Sequence, residues 1–94
     1  LFLLKTKQIN MNPSVFLAKK FVAKEAIAKA LGLGIRDPVN FKSIGITHNL
    51  LGKPLVVLEG KLKNYCSSKN YTIHVSISDQ KNLAQAFAVV ERIK

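Results

Sequence analysis

Polar and apolar side chains alternate without a break from Tyr71 to Ser78. Tyr71, Ile73, Val75 and Ile77 fall on one side, and Thr72, His74, Ser76 and Ser78 on the other. A period of two is the signature of a half-buried strand. The small and branched residues of Leu83–Ile93 predict a partner strand beyond a turn at Asp79–Asn82. Phe41–Thr47 and Pro54–Leu58 predict an earlier pair, joined by a turn at His48–Lys53. Before Gly32 the period changes. Leu17, Phe21, Ala28 and Leu31 fall near one helical stripe, widened by Val22 and Ala26, in a stretch rich in Ala, Lys, Leu and Glu. A helix is expected from Val15 to about Leu31, with Ser14 as its N-cap and Gly32 as its stop. Lys61–Lys69 is more weakly helical and would pack Leu62 and Tyr65. Residues 1–13 read as a short strand or helical turn broken by Asn10, Asn12 and Pro13. One long helix on a small, antiparallel-leaning sheet predicts an α+β fold, with residues 1–94 forming a single domain.

Composition narrows the class. At 94 residues and 48% hydrophobic, the chain is a small globular domain rather than a disordered one. Its apolar runs are far too short to span a bilayer, and Leu1–Leu4 lacks the flanks of a secretory signal. The single cysteine, Cys66, cannot form an internal disulfide, which points to a reduced, cytoplasmic compartment. Fifteen Lys and Arg against five Asp and Glu give a net charge of +10, and the excess runs along the whole chain. Such a field favours acidic partners: nucleic acid, phosphate-rich ligands, anionic lipid or an acidic protein.

Few residues offer chemistry. Glu25 is the one acid among the first 36 residues, and it sits in or beside the helix's apolar stripe. It reads either as an ordinary ion pair with Lys29, one turn on, or as part of a metal or phosphate site. Gly32-Leu33-Gly34 follows the helix, where a cap is the simpler reading than a phosphate loop. Gly52-Lys53-Pro54 reads as a turn. His48 and His74 lack partners at zinc spacing, Cys66 lacks a nucleophile's pattern, and no serine lies on a nucleophile elbow. No zinc finger, single-strand stacking motif or GxxG loop accompanies the charge, so nucleic acid is the weaker partner.

The run Phe16-Leu17-Ala18-Lys19-Lys20-Phe21-Val22-Ala23-Lys24-Glu25-Ala26-Ile27-Ala28-Lys29-Ala30-Leu31-Gly32-Leu33-Gly34-Ile35 resembles the holo-acyl-carrier-protein synthases, the small bacterial 4′-phosphopantetheinyl transferases. The resemblance continues in register through Asn49-Leu50-Leu51-Gly52-Lys53-Pro54 and Val75-Ser76-Ile77-Ser78-Asp79. It implies transfer of phosphopantetheine from coenzyme A to a serine of an acyl carrier protein, with release of 3′,5′-ADP, as fatty acid biosynthesis requires. It implies Mg²⁺ held by Glu25, Lys29 near the pyrophosphate, and Lys20, Lys24, Gly32 and Gly34 along the phosphates. Asn49, Gly52, Lys53, Pro54 and Ser78 would lie toward the nucleotide. A family-type homotrimer and an acidic carrier as partner are also implied.

The sequence departs from the family at its start. The family opens with a strand carrying Gly-x-Asp-Ile, whose Asp is the other metal ligand, and then a basic docking helix; neither is present here. Leu33 replaces a common Thr, and Asp79 a common His. The chain therefore resembles the C-terminal three-quarters of such an enzyme. On that reading the 94 residues alone would transfer little, and the missing strand would leave a bare sheet edge. The alternatives are a non-catalytic remnant of the family and a small basic nucleic-acid-binding protein.

Overall fold

A computed structural model of the chain describes residues 2–11, 18–80 and 83–93. Strand β1 (Phe2–Met11) is followed by helix α1 (Ala18–Ala30), a 3₁₀ turn (Phe41–Ser43) and the hairpin β2 (Ile44–His48) and β3 (Pro54–Leu58). Helix α2 (Gly60–Ser68) then leads to β4 (Tyr71–Gln80) and β5 (Leu83–Ile93). The fold is α+β, as the two hydrophobic periods require. Ser14–Leu17, where the helix was expected to begin, lie outside the described residues.

Strands β1, β5 and β4 form one antiparallel sheet in that order, and β2 and β3 form a second. The edge expected to be bare is paired: β1 runs along β5 from Phe2↔Ile93 to Met11↔Ala84. Residues Phe2–Met11 thus supply a strand without the Gly-x-Asp-Ile segment. Phe41–Ser43 departs from the expected strand because Asn40, in extended conformation, accepts the Ser43 N–H with its side chain at 3.0 Å and winds a tight turn.

Helix α1 packs across the three-stranded sheet, chiefly on β5. Small residues make this close: Ala23, Ala26 and Ala30 of the helix and Ala84, Ala86 and Ala88 of β5 all lie in the buried core. Val22, Ile27, Ile44, Leu62 and Val90 supply its bulk. Alternation holds in β4, where Val75 is buried and Tyr71, Ile73 and Ile77 pack against the core, while Thr72, His74, Ser76 and Ser78 are exposed. Ile44 and Ile46 bring the second sheet to the same core, but β3 and β4 meet without a shared hydrogen-bond ladder. Among the described residues, no helix is long and apolar enough to cross a membrane.

The helix ends as its sequence demands. Gly32 takes φ +81, which a side chain would strain. The Gly32 N–H donates to Lys29 O at 3.0 Å and the Leu33 N–H to Ala28 O at 3.3 Å, a Schellman cap. The Gly34 N–H also turns back, to Ala28 O at 3.2 Å.

Candidate active site

Val22, Ala23, Ala26, Ile27, Ala28 and Ala30 bury much of α1. Of the accessible side chains, Lys24 follows Lys20 by one turn, Glu25 follows Phe21 by one turn, and Lys29 follows Glu25 by one more. The Glu25 carboxylate is 28% exposed, and its Oε1 lies 3.6 Å from the Lys29 ammonium, which is 49% exposed. That separation is longer than a charge-assisted hydrogen bond, and the pair is open to solvent.

Lys24 is committed. Its ammonium donates to the Phe41 carbonyl at 2.9 Å and stands 5.7 Å over the Phe41 ring. Phe41 in turn meets Phe21 edge-on, with ring centroids 5.1 Å apart. Lys20, Phe21, Lys24 and Phe41 line a cavity of about 210 Å³ with an aromatic floor and cationic walls.

Lys20 also lines a second cavity of about 180 Å³, with Lys19, Ile46, His48, Gly52, Pro54 and Ile77. Three elements meet there: α1, the β2–β3 hairpin and β4. The hairpin turn is braced by Asn49, whose Oδ1 accepts the Leu51 and Lys53 N–H groups at 2.9 Å each. Gly52, at φ +86, completes the turn by donating its N–H to Asn49 O at 2.9 Å. No carboxylate lines either cavity among the described residues.

The structure therefore brings Lys20, Gly52 and Pro54 together, with Lys24 beside them. Glu25 and Lys29 belong to the same helix, farther round its surface, and line neither cavity. Asn49 serves by shaping the turn, and Gly32 and Gly34 by ending the helix with their N–H groups turned inward. Lys53 lines a separate groove of about 470 Å³ between β3 and β4. Ser78 stands apart: it faces away from Ile77 and borders a shallow dimple with Ser76, Gln85, Ala86 and Phe87. Sequence reading missed Phe41, Lys19, Ile46, His48 and Ile77. Ile46 and Ile77 carry only a core signal in the sequence, and His48 was weighed solely as a metal ligand.

Residues 4–88 match the family model of the 4′-phosphopantetheinyl transferase superfamily. The chain belongs to that superfamily. It is 49% identical over 84 residues to the holo-[acyl-carrier-protein] synthase of Nitrosospira multiformis, covering 88% of this chain and 67% of that protein. It is 46% identical over 76 residues to the enzyme of the same name from Dechloromonas aromatica, covering 81% and 61%. The chain thus spans about two thirds of the first relative's length and less of the second's. Among solved structures, the acyl carrier protein synthase of Plasmodium yoelii with ADP bound superposes at a TM-score of 0.79 with 25% identity, covering 97% of this chain and 95% of that one. Lys19 and Lys20 of α1 and Gly52 and Pro54 of the hairpin turn, which bound the 180 Å³ cavity, fall within the matched residues.

Proposed function

We propose that the chain carries the coenzyme-binding part of a holo-acyl-carrier-protein synthase, which moves 4′-phosphopantetheine from coenzyme A to a serine of an apo acyl carrier protein. In that reaction the serine hydroxyl attacks the coenzyme's β-phosphorus. A phosphodiester forms, the pyrophosphate linkage breaks, and 3′,5′-ADP leaves with the electron pair of that bond. The serine proton passes to solvent or to a basic group at the site. Such a transfer depends on positioning and on neutralising charge.

The convergence of Lys20, Gly52 and Pro54 on one cavity carries the reading. Two motifs far apart in the sequence, each matching the family in register, build the walls of the same space. The adjoining aromatic and cationic cavity of Phe21, Phe41, Lys20 and Lys24 suits a flat, negatively charged nucleotide.

Glu25 fits a Mg²⁺ site. Its carboxylate is partly open, and its partner Lys29, at 3.6 Å, is displaceable. Among the described residues no group of three or more His, Cys, Asp or Glu side chains could hold a metal. A single carboxylate with phosphate oxygens and water is nevertheless a common Mg²⁺ environment. When bound, the ion would neutralise charge developing on the pyrophosphate. Lys29 would lie within reach of the same phosphates.

The net charge of +10 supports an acidic carrier as partner, steering its approach at low salt. Self-association, as a homotrimer on the resemblance, is supported by apolar side chains that face solvent on the hairpin: Leu50 and Leu51 fully, Leu55 and Val57 by nearly half. A cytoplasmic location and a place in fatty acid biosynthesis follow from the same reading.

The deciding experiment incubates the protein with coenzyme A, Mg²⁺ and an apo acyl carrier protein. A carrier mass gain of about 340 Da, one phosphopantetheine on its serine, is expected. Tight binding of 3′,5′-ADP with no mass gain would leave a nucleotide-binding remnant. Neither binding nor transfer would defeat the reading.

A further inference from the structure

Lys24 lines the aromatic cavity, yet its charge is already in use. The side chain is half-buried, and its ammonium donates to the Phe41 carbonyl while standing over the ring of the same residue. A hydrogen bond from an ammonium is among the stronger kinds, and the ring face adds to it. A phosphate oxygen could recruit this group only by displacing both contacts. Lys20, one turn earlier, is exposed and lines both cavities.

Both ends of the Lys24 bond are held firmly. On one side is a helix whose Val22, Ala23 and Ala26 are fully buried. On the other is the 3₁₀ turn Phe41–Ser43. The Asn40 side chain braces its Ser43 N–H, and the Ser43 carbonyl accepts the Glu59 N–H, just past the end of β3, at 3.0 Å. This turn runs directly into β2, and the β2–β3 hairpin supplies Ile46, Gly52 and Pro54 to the 180 Å³ cavity. Helix α1 supplies Lys20 to the same cavity, whereas Lys24 does not line it. Lys24 thus joins, from outside the cavity, the two elements between which the cavity lies.

We propose that Lys24 is a positioning residue rather than a phosphate ligand. Tied to the Phe41 carbonyl, it sets the spacing between α1 and the hairpin, and so the width of the 180 Å³ cavity. The proposal rests on the coenzyme reading only for the molecule that fills this space. The two roles leave different marks on binding. Loss of a phosphate contact weakens charged ligands alone, and salt screens the effect. Loss of a tie lowers the fraction of molecules whose walls are correctly spaced. That fraction reduces the affinity of every ligand by the same factor, charged or not.

The test compares the unaltered chain with Lys24→Met. It measures the affinity of each for 3′,5′-ADP and for adenosine, at low and at high ionic strength, and the amide hydrogen exchange of each without ligand. Lys24→Met should bind both ligands about three- to tenfold more weakly, by the same factor for the two and at either salt concentration. Its β2 and β3 amides should gain more in exchange rate than those of β4 and β5, which report the general loss of stability. A loss confined to 3′,5′-ADP and shrinking in salt would make Lys24 a phosphate ligand and overturn the proposal. Unchanged affinity of the folded variant would make the bond a purely structural contact, and would overturn it too. Should adenosine bind too weakly to measure, the salt comparison with 3′,5′-ADP decides. If 3′,5′-ADP binds neither protein, the coenzyme reading fails, and hydrogen exchange decides whether Lys24 holds the hairpin to α1. Equal acceleration in all four strands then overturns that role.

Discussion

The Lys24 ammonium donates to the Phe41 carbonyl at 2.9 Å while standing over the ring of the same residue. One side chain therefore pins α1 to the turn that opens the β2–β3 hairpin, across seventeen positions of sequence. Lys24→Met keeps much of the apolar stem against Phe41 but loses the donor. The expected cost is about 1–2 kcal/mol, the range for a hydrogen bond from a charged group. Urea denaturation measures it through the midpoint, and an unchanged midpoint would mean that the bond contributes nothing in solution.

Glu25 separates a structural role from a functional one. Its pair with Lys29 is long and open, so Glu25→Gln should change stability by less than about 1 kcal/mol. If the carboxylate holds Mg²⁺ as proposed, the same change should lower phosphopantetheine transfer by about 10² or more. Carrier mass spectrometry across a Mg²⁺ series reads the activity, and a melting curve reads the stability. Activity that falls only in step with the melting temperature would reduce Glu25 to a helical ion-pair partner.

Gly32 makes the opposite case. Its φ of +81 and the Ala28 and Lys29 carbonyls satisfied around it make the turn a helix cap. Gly32→Ala should cost about 1 kcal/mol through backbone strain. Because the N–H groups of Gly32, Leu33 and Gly34 all point into the helix end, affinity for 3′,5′-ADP in the folded protein should change by less than about twofold. A larger loss of affinity at unchanged stability would put a phosphate against the turn.

Leu50 and Leu51 stand free in solvent at the tip of the hairpin. Replacing both with serine removes apolar surface without opening a cavity, so folding stability should move by no more than about 0.5 kcal/mol. Light scattering after size-exclusion chromatography should show a shift toward the monomer if this face joins copies of the chain. An unaltered mass would place the contact elsewhere.

Cys66 is 2% exposed, and burial raises its thiol pKa above the ordinary value. The folded chain therefore holds this proton more tightly than the unfolded one. Stability attributable to Cys66 is intact below the unfolded pKa of about 8.5 and declines as pH rises through and beyond it. Alkylation by iodoacetamide at mildly alkaline pH should follow unfolding rather than precede it. Rapid labelling of the native protein would show that α2 opens locally.

How far the sequence could be read depended on what kind of information each residue carries. The alternation of Tyr71–Ser78 marked the correct face of β4, because a period of two leaves a strand one choice of side. Gly32 marked the helix end for an equally local reason. Asn49, Gly52 and Pro54 were found through the likeness of a turn, and the structure adds that Asn49 acts by bracing it. Phe41 was illegible as a site residue, because its carbonyl and ring matter only once Lys24 arrives from a helix far away in sequence. Ile77 and Ser78 are neighbours in a motif, yet the pleat sends them to opposite faces, which separates Ser78 from the cavity. His48 was passed over because a lone histidine is weighed against metal spacing, whereas its neighbours here are lysines contributed by another element.

The hairpin and the three-stranded sheet share a core but no ladder, and this bears on how the molecule opens. Side-chain packing alone resists separation of β3 from β4, so the hairpin can part from the rest at a lower free energy than either sheet comes apart within itself. A molecule seated between Lys20, Gly52 and Ile77 would touch both halves at once. Its binding free energy would be added to that separation, about 2.7 kcal/mol at a hundredfold excess over Kd. Occupancy would then fuse two loosely coupled bodies into a single cooperative unit, and the site would act as the missing seam between the sheets.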